Sequence, residues 1–179
     1  MKITATTRPA NRRDWRDWLE QHHDQASEIW LVTDRHRSSP SYLESVEEAL
    51  CYGWIDGIAK RVDAHSTAQR FTPRRSTSHW TELNKERARR LIAQGKMTEA
   101  GKQTLPDLSL EAFGIAPDIE DALKSDPQTW QHFQNFPALY QRVRIGYIEE
   151  MRRNPAVFDS RLRHFLKRTR DNQQFGGLE

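Results

Sequence analysis

The chain predicts an α+β fold, a small mainly antiparallel sheet with packed helices followed by an all-helical C-terminal segment. Three observations carry this reading. The run EIWLVT at 28–33 and the alternating stretches at 54–63 and 67–72 read as strands. Between and around them, apolar residues recur at spacings of three and four. Beyond residue 118 only the helical period persists, punctuated by Asp126-Pro127 and Asn154-Pro155, each a cap residue followed by proline at the first helical position.

Residues 1–9, with Ile3 and Ala5, read as an edge strand or a tail. A helix follows over 11–24, with Trp15, Trp18 and Leu19 on one face. His22 shares that face, where a packed amphipathic imidazole is a better reading than a ligand. Apolar residues on both alternating faces of 28–33 suit a central strand covered on both sides. After a polar turn at 34–39, Ser41 and Glu44 form a capping box, each side chain satisfying a free N–H of the other's segment. This helix runs to Tyr52, with Leu43, Val46, Leu50 and Cys51 inward and Gly53 as its stop.

Alternation from Trp54 to Asp63, with a return from Thr67 to Thr72, makes a hairpin. Pairing Asp63 with Ser66 would set Ile58 opposite Phe71 and Asp56 opposite Pro73, beside Arg74. Pro73 ends the strand, and the next helix is expected to be capped near Ser78. On it Trp80, Leu83, Ala88, Leu91 and Ile92 cover the apolar arc, Asn84 falls inside the arc and Arg87 lies beside Trp80. A short helix from Thr98 is broken by Gly101 and Pro106.

Residues 1–101 therefore read as an α+β N-terminal part, 102–117 as a connector, 118–172 as a helical C-terminal part and 173–179 as a tail that frays. In the helical part Trp130 and Phe133 face inward. A helix over 137–153 is expected to bury Tyr140, Val143, Tyr147, Ile148 and Met151. Phe158, Leu162, Phe165 and Leu166 form the stripe of the last helix.

Composition narrows the function classes. The hydrophobic fraction of 36% is low and the charged fraction of 30% high, with six tryptophans adding core volume. The net charge of +3 is modest, but its distribution is uneven. Residues 41–69 carry five acids against two bases, whereas 70–96 carry eight bases against two acids. A single cysteine, Cys51, excludes an intramolecular disulfide and fits a reducing compartment. The N-terminal residues show no signal-peptide core and no segment could span a bilayer, so a cytoplasmic location is expected. The histidines are dispersed, without metal-ligand spacing, and no phosphate loop or dinucleotide glycine pattern occurs; no metal or cofactor is expected.

The candidate ligand-binding set is Asp56, Arg70, Arg74, Ser78, Trp80, Asn84 and Arg87, at the junction of the hairpin with the following helix. Guanidinium forks suit a carboxylate or phosphate, an indole offers a flat face, and a helix start near Ser78 would add free N–H groups. The same residues also suit a scaffold in which Asp56 and an arginine tie hairpin to helix. A nucleic-acid-binding surface over Arg70–Lys96, joined by Arg161, Arg163, Lys167, Arg168 and Arg170, is the competing reading. A partner-binding module without chemistry is the third. Cys51, at the C-terminal end of its helix, lacks the positive surroundings of a reactive thiolate, and no constellation assigns a reaction.

The series EIWLV, EEALCYGWID, QRFTPRR, NKER and LIAQGKMTEAG resembles the bacterial YdeI/OmpD-associated, or bacteriocin-protection, family over residues 14–101. Trp130, Tyr140, Ile148 and the arginines near Arg161 are similar to that family's C-terminal segment more loosely. The chain departs from the family pattern at GKQTLPDLSLEAFG and at Tyr147, where a tryptophan is common. The resemblance implies an association with antimicrobial or bacteriocin tolerance and with an outer-membrane porin. It carries no catalytic residues. The resulting expectation is a stress- or antimicrobial-tolerance protein that binds a small anionic or aromatic ligand.

Overall fold

In the computed structural model, which describes residues 2–178, four strands form one sheet in the order β1-β2-β4-β3. β1 (Thr6–Thr7) is a short parallel edge beside β2 (Ile29–Asp34), and β4 (Ser66–Pro73) runs antiparallel to both β2 and β3 (Trp54–Arg61). The sheet is thus mainly antiparallel. The EIWLVT run does occupy an interior strand, with Ile29, Trp30, Leu31 and Val32 all buried.

The chain divides into two compact units. One comprises the residues up to His79 together with Arg87–Pro106; the other comprises Trp80–Glu86 and the residues from Asp107 onward. In the first, α1 (Arg12–His22) starts at Asn11, whose side chain accepts from the Asp14 N–H. Trp15 and Leu19 are fully buried, and the Trp15 ring meets Phe71 of the sheet at 5.3 Å. Its indole N–H donates to the Ser45 carbonyl at 3.0 Å, so α1 is bound to α2 (Tyr42–Cys51) by a directed bond as well as by packing. His22 stacks on Trp18 at 4.8 Å, the packed role expected of it.

The Ser41 capping box is complete, with Glu44 N–H donating to Ser41 Oγ and Ser41 N–H to Glu44 Oε2. Behind it Glu48, almost fully buried, accepts from Arg12 at 2.5 Å and Arg16 at 2.7 Å. Such a carboxylate is tolerable only because its charge is matched there.

The hairpin register differs from the alternation-based expectation. Asp56 lies opposite Phe71 and Trp54 opposite Pro73, whereas Ala59 pairs with Gln69 and Arg61 with Thr67. Near the hairpin tip the register is already one residue off, with Ala59 opposite Gln69 and not Arg70, and a bulge between Asp56 and Ala59 adds a second, since an extra residue on one strand reverses the facing of everything beyond it. Ile58, expected opposite Phe71, is left 48% exposed. At the tip, Asp63 Oδ1 accepts from the His65 and Ser66 N–H groups, an Asx turn that tightens the loop.

α3 (Glu82–Ala93) begins four residues after Ser78, which is a second correction. Thr81 Oγ1 accepts from the Asn84 N–H and so serves as the cap, whereas Ser78 Oγ accepts from the Arg75 N–H and closes the preceding turn. α4 (Glu99–Lys102) is capped by Thr98.

The second unit is built on α5 (Pro117–Lys124), α6 (Pro127–Asn135), α7 (Ala138–Glu149) and α8 (Pro155–Arg170). Both cap-plus-proline pairs behave as expected: Asp126 accepts from Thr129 N–H and Asn154 from Val157 N–H. Ile119, Leu123, Phe133, Tyr140, Ile145, Ile148 and Phe165 make the core. Tyr147, expected inside, is 43% exposed and lies under the Arg161 guanidinium at 3.5 Å. Phe175 and Leu178 pack on the core, and the Phe175 N–H donates to the Tyr140 hydroxyl at 3.3 Å.

Candidate functional site

Because the capping box fixes the start of α2, Tyr42 stands at its first helical position and reaches across to β3. Its hydroxyl donates to Asp56 Oδ2 at 2.8 Å. Burial, then the hydrogen bond to Asp56 and its charge, push the phenol up to about 12. Tyr42 therefore stays neutral at physiological pH, as donor and not as base.

Arg74 directly follows the last residue of β4. Its backbone N–H donates to the Gly53 carbonyl at 2.8 Å, which anchors the strand end to the turn after α2. The side chain is 9% exposed, and Nη1 donates to the His79 carbonyl at 3.2 Å. Burial brings this guanidinium down to about 10, against the opposing pull of Asp56. Arg87, on α3, is 6% exposed and is likewise lowered by burial, opposed by Tyr42, Glu47 and Asp56. Asp56, Arg74 and Arg87 are thus brought into one electrostatic neighbourhood, with Tyr42 as a fourth member.

Arg70 goes elsewhere. It precedes Phe71 on β4, so its side chain leaves the face of the sheet that holds Phe71 and Asp56. There it pairs with Glu28, through Nε at 2.7 Å and Nη2 at 2.5 Å. Ser78 is spent in its turn. Trp80 and Asn84 are half-buried and fall within the second unit.

Tyr42 is the residue that sequence reasoning passed over. The available signal was a large aromatic directly after a capping serine, a position that helical periodicity reads as solvent-facing. It also lines an open cleft of about 390 Å³ on the first unit, together with Ser41, Thr33, Thr67, Gln69 and His65. At its edge His36 Nε2 and His65 Nδ1 approach to 3.1 Å. Among the described residues, no group of three or more His, Cys, Asp or Glu is placed to hold a metal ion.

Cys51 is fully buried, and burial followed by the Glu48 charge pushes its thiol up to about 11. Neither this thiol nor the Tyr42 phenol is an activated nucleophile. Of the eight bases in Arg70–Lys96, Arg70, Lys85 and Arg90 pair with carboxylates and Arg74 and Arg87 are buried. A uniformly solvated basic face is not what this stretch forms. No helix among the described residues is long and apolar enough to cross a membrane.

Fold and site together define an α+β protein with a polar, cation-rich cluster on its sheet-bearing unit and a separate helical unit. Residues 7–104 match a family model described as a domain of unknown function (DUF8412), and residues 112–172 match one described as bacteriocin-protection, YdeI or OmpD-associated. The first match covers more than half of the chain, which belongs to that family, and the C-terminal helices carry the YdeI/OmpD-associated domain. This second match falls on the segment where the resemblance rested on fewer residues; the CYGWID to NKER series lies inside the first. Comparison with curated proteins and with solved structures returns no significant match.

Proposed function

We propose that the sheet-bearing unit binds a small anionic or aromatic ligand where Tyr42, Asp56, Arg74 and Arg87 gather, in a cytoplasmic protein of antimicrobial or stress tolerance. The observation that carries this reading is the burial of two guanidinium groups about one carboxylate. Their charges are poorly screened there, so an incoming anion gains more than it would at a solvated surface. Tyr42 supplies an aromatic face and a neutral hydroxyl at the mouth of the adjoining cleft. The tolerance role rests on the description of the family whose model matches residues 112–172.

The test is isothermal titration with inorganic phosphate and benzoate, on the wild type and on Arg74→Gln and Arg87→Gln. A saturable phase with either probe that both variants abolish, with melting temperatures kept within a few degrees, supports a ligand site. If both variants unfold, or the wild type binds neither probe, the arginines are scaffold. Retention of a DNA or RNA oligonucleotide at low salt, lost as salt rises, would favour the nucleic-acid reading instead.

A further inference from the structure

The helical unit holds a second cleft, of about 360 Å³, between α7, α8 and the chain end. Its polar lining is Arg144, Arg161, His164 and Ser160, and its aromatic walls are Tyr147, Phe165 and Phe175; among the described residues no aspartate or glutamate lines it. We propose that this cleft binds a small aromatic monocarboxylate, independently of the site on the sheet-bearing unit.

The positive charge is built in from two directions. Arg144 is only 8% exposed, and its guanidinium lies over the Phe175 ring at 5.1 Å and the Tyr140 ring at 5.4 Å. Its Nη2 donates to the Gly177 carbonyl at 3.3 Å, while Nε has no hydrogen-bond partner among the described residues. The chain end is pressed against it: Gly176 has φ +71°, and a Cβ there would stand 2.5 Å from Arg144 Nη1. Only glycine allows this approach, so the guanidinium is enclosed by backbone and rings, where its field is weakly screened.

Arg161 approaches from α8, stacked on Tyr147 and donating to the Tyr147 carbonyl. Stacking leaves a planar guanidinium edge for a bidentate carboxylate contact. His164 stands edge-on to Phe175 at 4.7 Å, and Ser160 and His164 are both exposed on α8, so both can turn donors toward an anion. Size and walls select a flat ring: the volume is at the small end of ligand pockets, and three aromatic side chains border it.

Charge number is decided by Glu150, whose Oε2 lies 3.7 Å from Arg161 Nη1. That carboxylate already offsets part of the Arg161 charge and would repel a dianion. A monocarboxylate is therefore preferred over a phosphate monoester.

The experiment is titration of the full chain with benzoate and indole-3-carboxylate, each followed by calorimetry and by amide chemical shifts, with neutral indole-3-carboxamide as control. Saturable binding of a carboxylate, with shifts at Ser160, His164 and Phe175, is expected. The carboxamide and the Arg161→Gln variant should each bind at least about tenfold more weakly, the span of a hydrogen bond to a charged group. Ser160→Ala and His164→Ala, at exposed positions, provide the comparison if Arg161→Gln fails to fold. Overturning results are no saturation by either carboxylate, equal binding of the carboxamide, shifts confined to the other unit, or unchanged affinity in the folded variants. Loss of binding in Arg74→Gln, with Arg161→Gln unaffected, would assign the ligand to the other site and refute this one.

Discussion

Replacing Gly101 with alanine should unsettle the sheet-bearing unit far more than an ordinary helix substitution. Gly101 lies within α4, yet its backbone is pressed on the end of α2. An ideal Cβ there would stand 2.2 Å from the Cys51 carbonyl oxygen and 2.5 Å from Met97 Sδ. The thioether can swing aside. The carbonyl cannot, because it accepts from the Thr98 N–H at 3.1 Å and from Thr98 Oγ1 at 2.5 Å. Reaching the 3.4 Å at which ordinary contact begins requires a displacement of about 1.2 Å. Overpacking against an unyielding neighbour costs up to about 3 kcal/mol. Weakening one Thr98 bond adds about 1 kcal/mol, and alanine's better helix propensity returns about 1 kcal/mol. The net expectation is a loss of about 3 kcal/mol, or a fall in Tm of about 10 °C for a chain of this size. Urea unfolding followed by tryptophan fluorescence reads it. A Gly101→Ala midpoint within about 0.5 kcal/mol of wild type would refute the close approach.

Two further outcomes follow from titrating groups. Tyr42 ionises near 12 in the folded chain against 10 in the unfolded one, so the fold holds the proton longer. Its contribution is full below pH 10 and is lost as pH rises toward 12. With Tyr42 57% exposed, solvent screening reduces this to about 1 kcal/mol. Tyr42→Phe should flatten that alkaline limb and remove the highest-pH step from an ultraviolet titration; an unchanged limb would place the effect on another tyrosine. The Cys51 thiol, held up mainly by burial, should react with a thiol reagent at mildly alkaline pH only as fast as the unit opens. Labelling of the native chain at the rate of a free thiol would contradict this.

The local signals were legible and held. Ser41 with Glu44 announced α2, Asp126-Pro127 and Asn154-Pro155 announced α6 and α8, and EIWLVT announced an interior strand. Each depends on residues within one turn or one strand. What depended on distant partners was less so. Alternation along 54–63 could show neither the tip register nor the bulge, so Asp56 was set against Pro73 when it lies against Phe71. Arg70 seemed a neighbour of Asp56, but strand pleating turns it to Glu28, on the face opposite Phe71 and Asp56. Ser78 looked like a cap, and Thr81, three residues on, caps α3 instead. Gly101 read as a helix breaker and is a contact point. The chain end read as frayed because nothing near it in sequence binds it, and its partners, Tyr140 and Arg144, are more than thirty residues away.

By itself the sequence determined the fold class, the order and type of the elements, and Asp56, Arg74 and Arg87 as residues of interest, because propensity, capping and apolar periodicity are short-range properties. Tertiary structure decided which of those side chains share a neighbourhood, that Tyr42 joins them, and that a second cation-lined cleft exists in the helical unit. Strand register, burial of charge and close backbone approach are set by packing between segments far apart in the chain, and no local pattern encodes them.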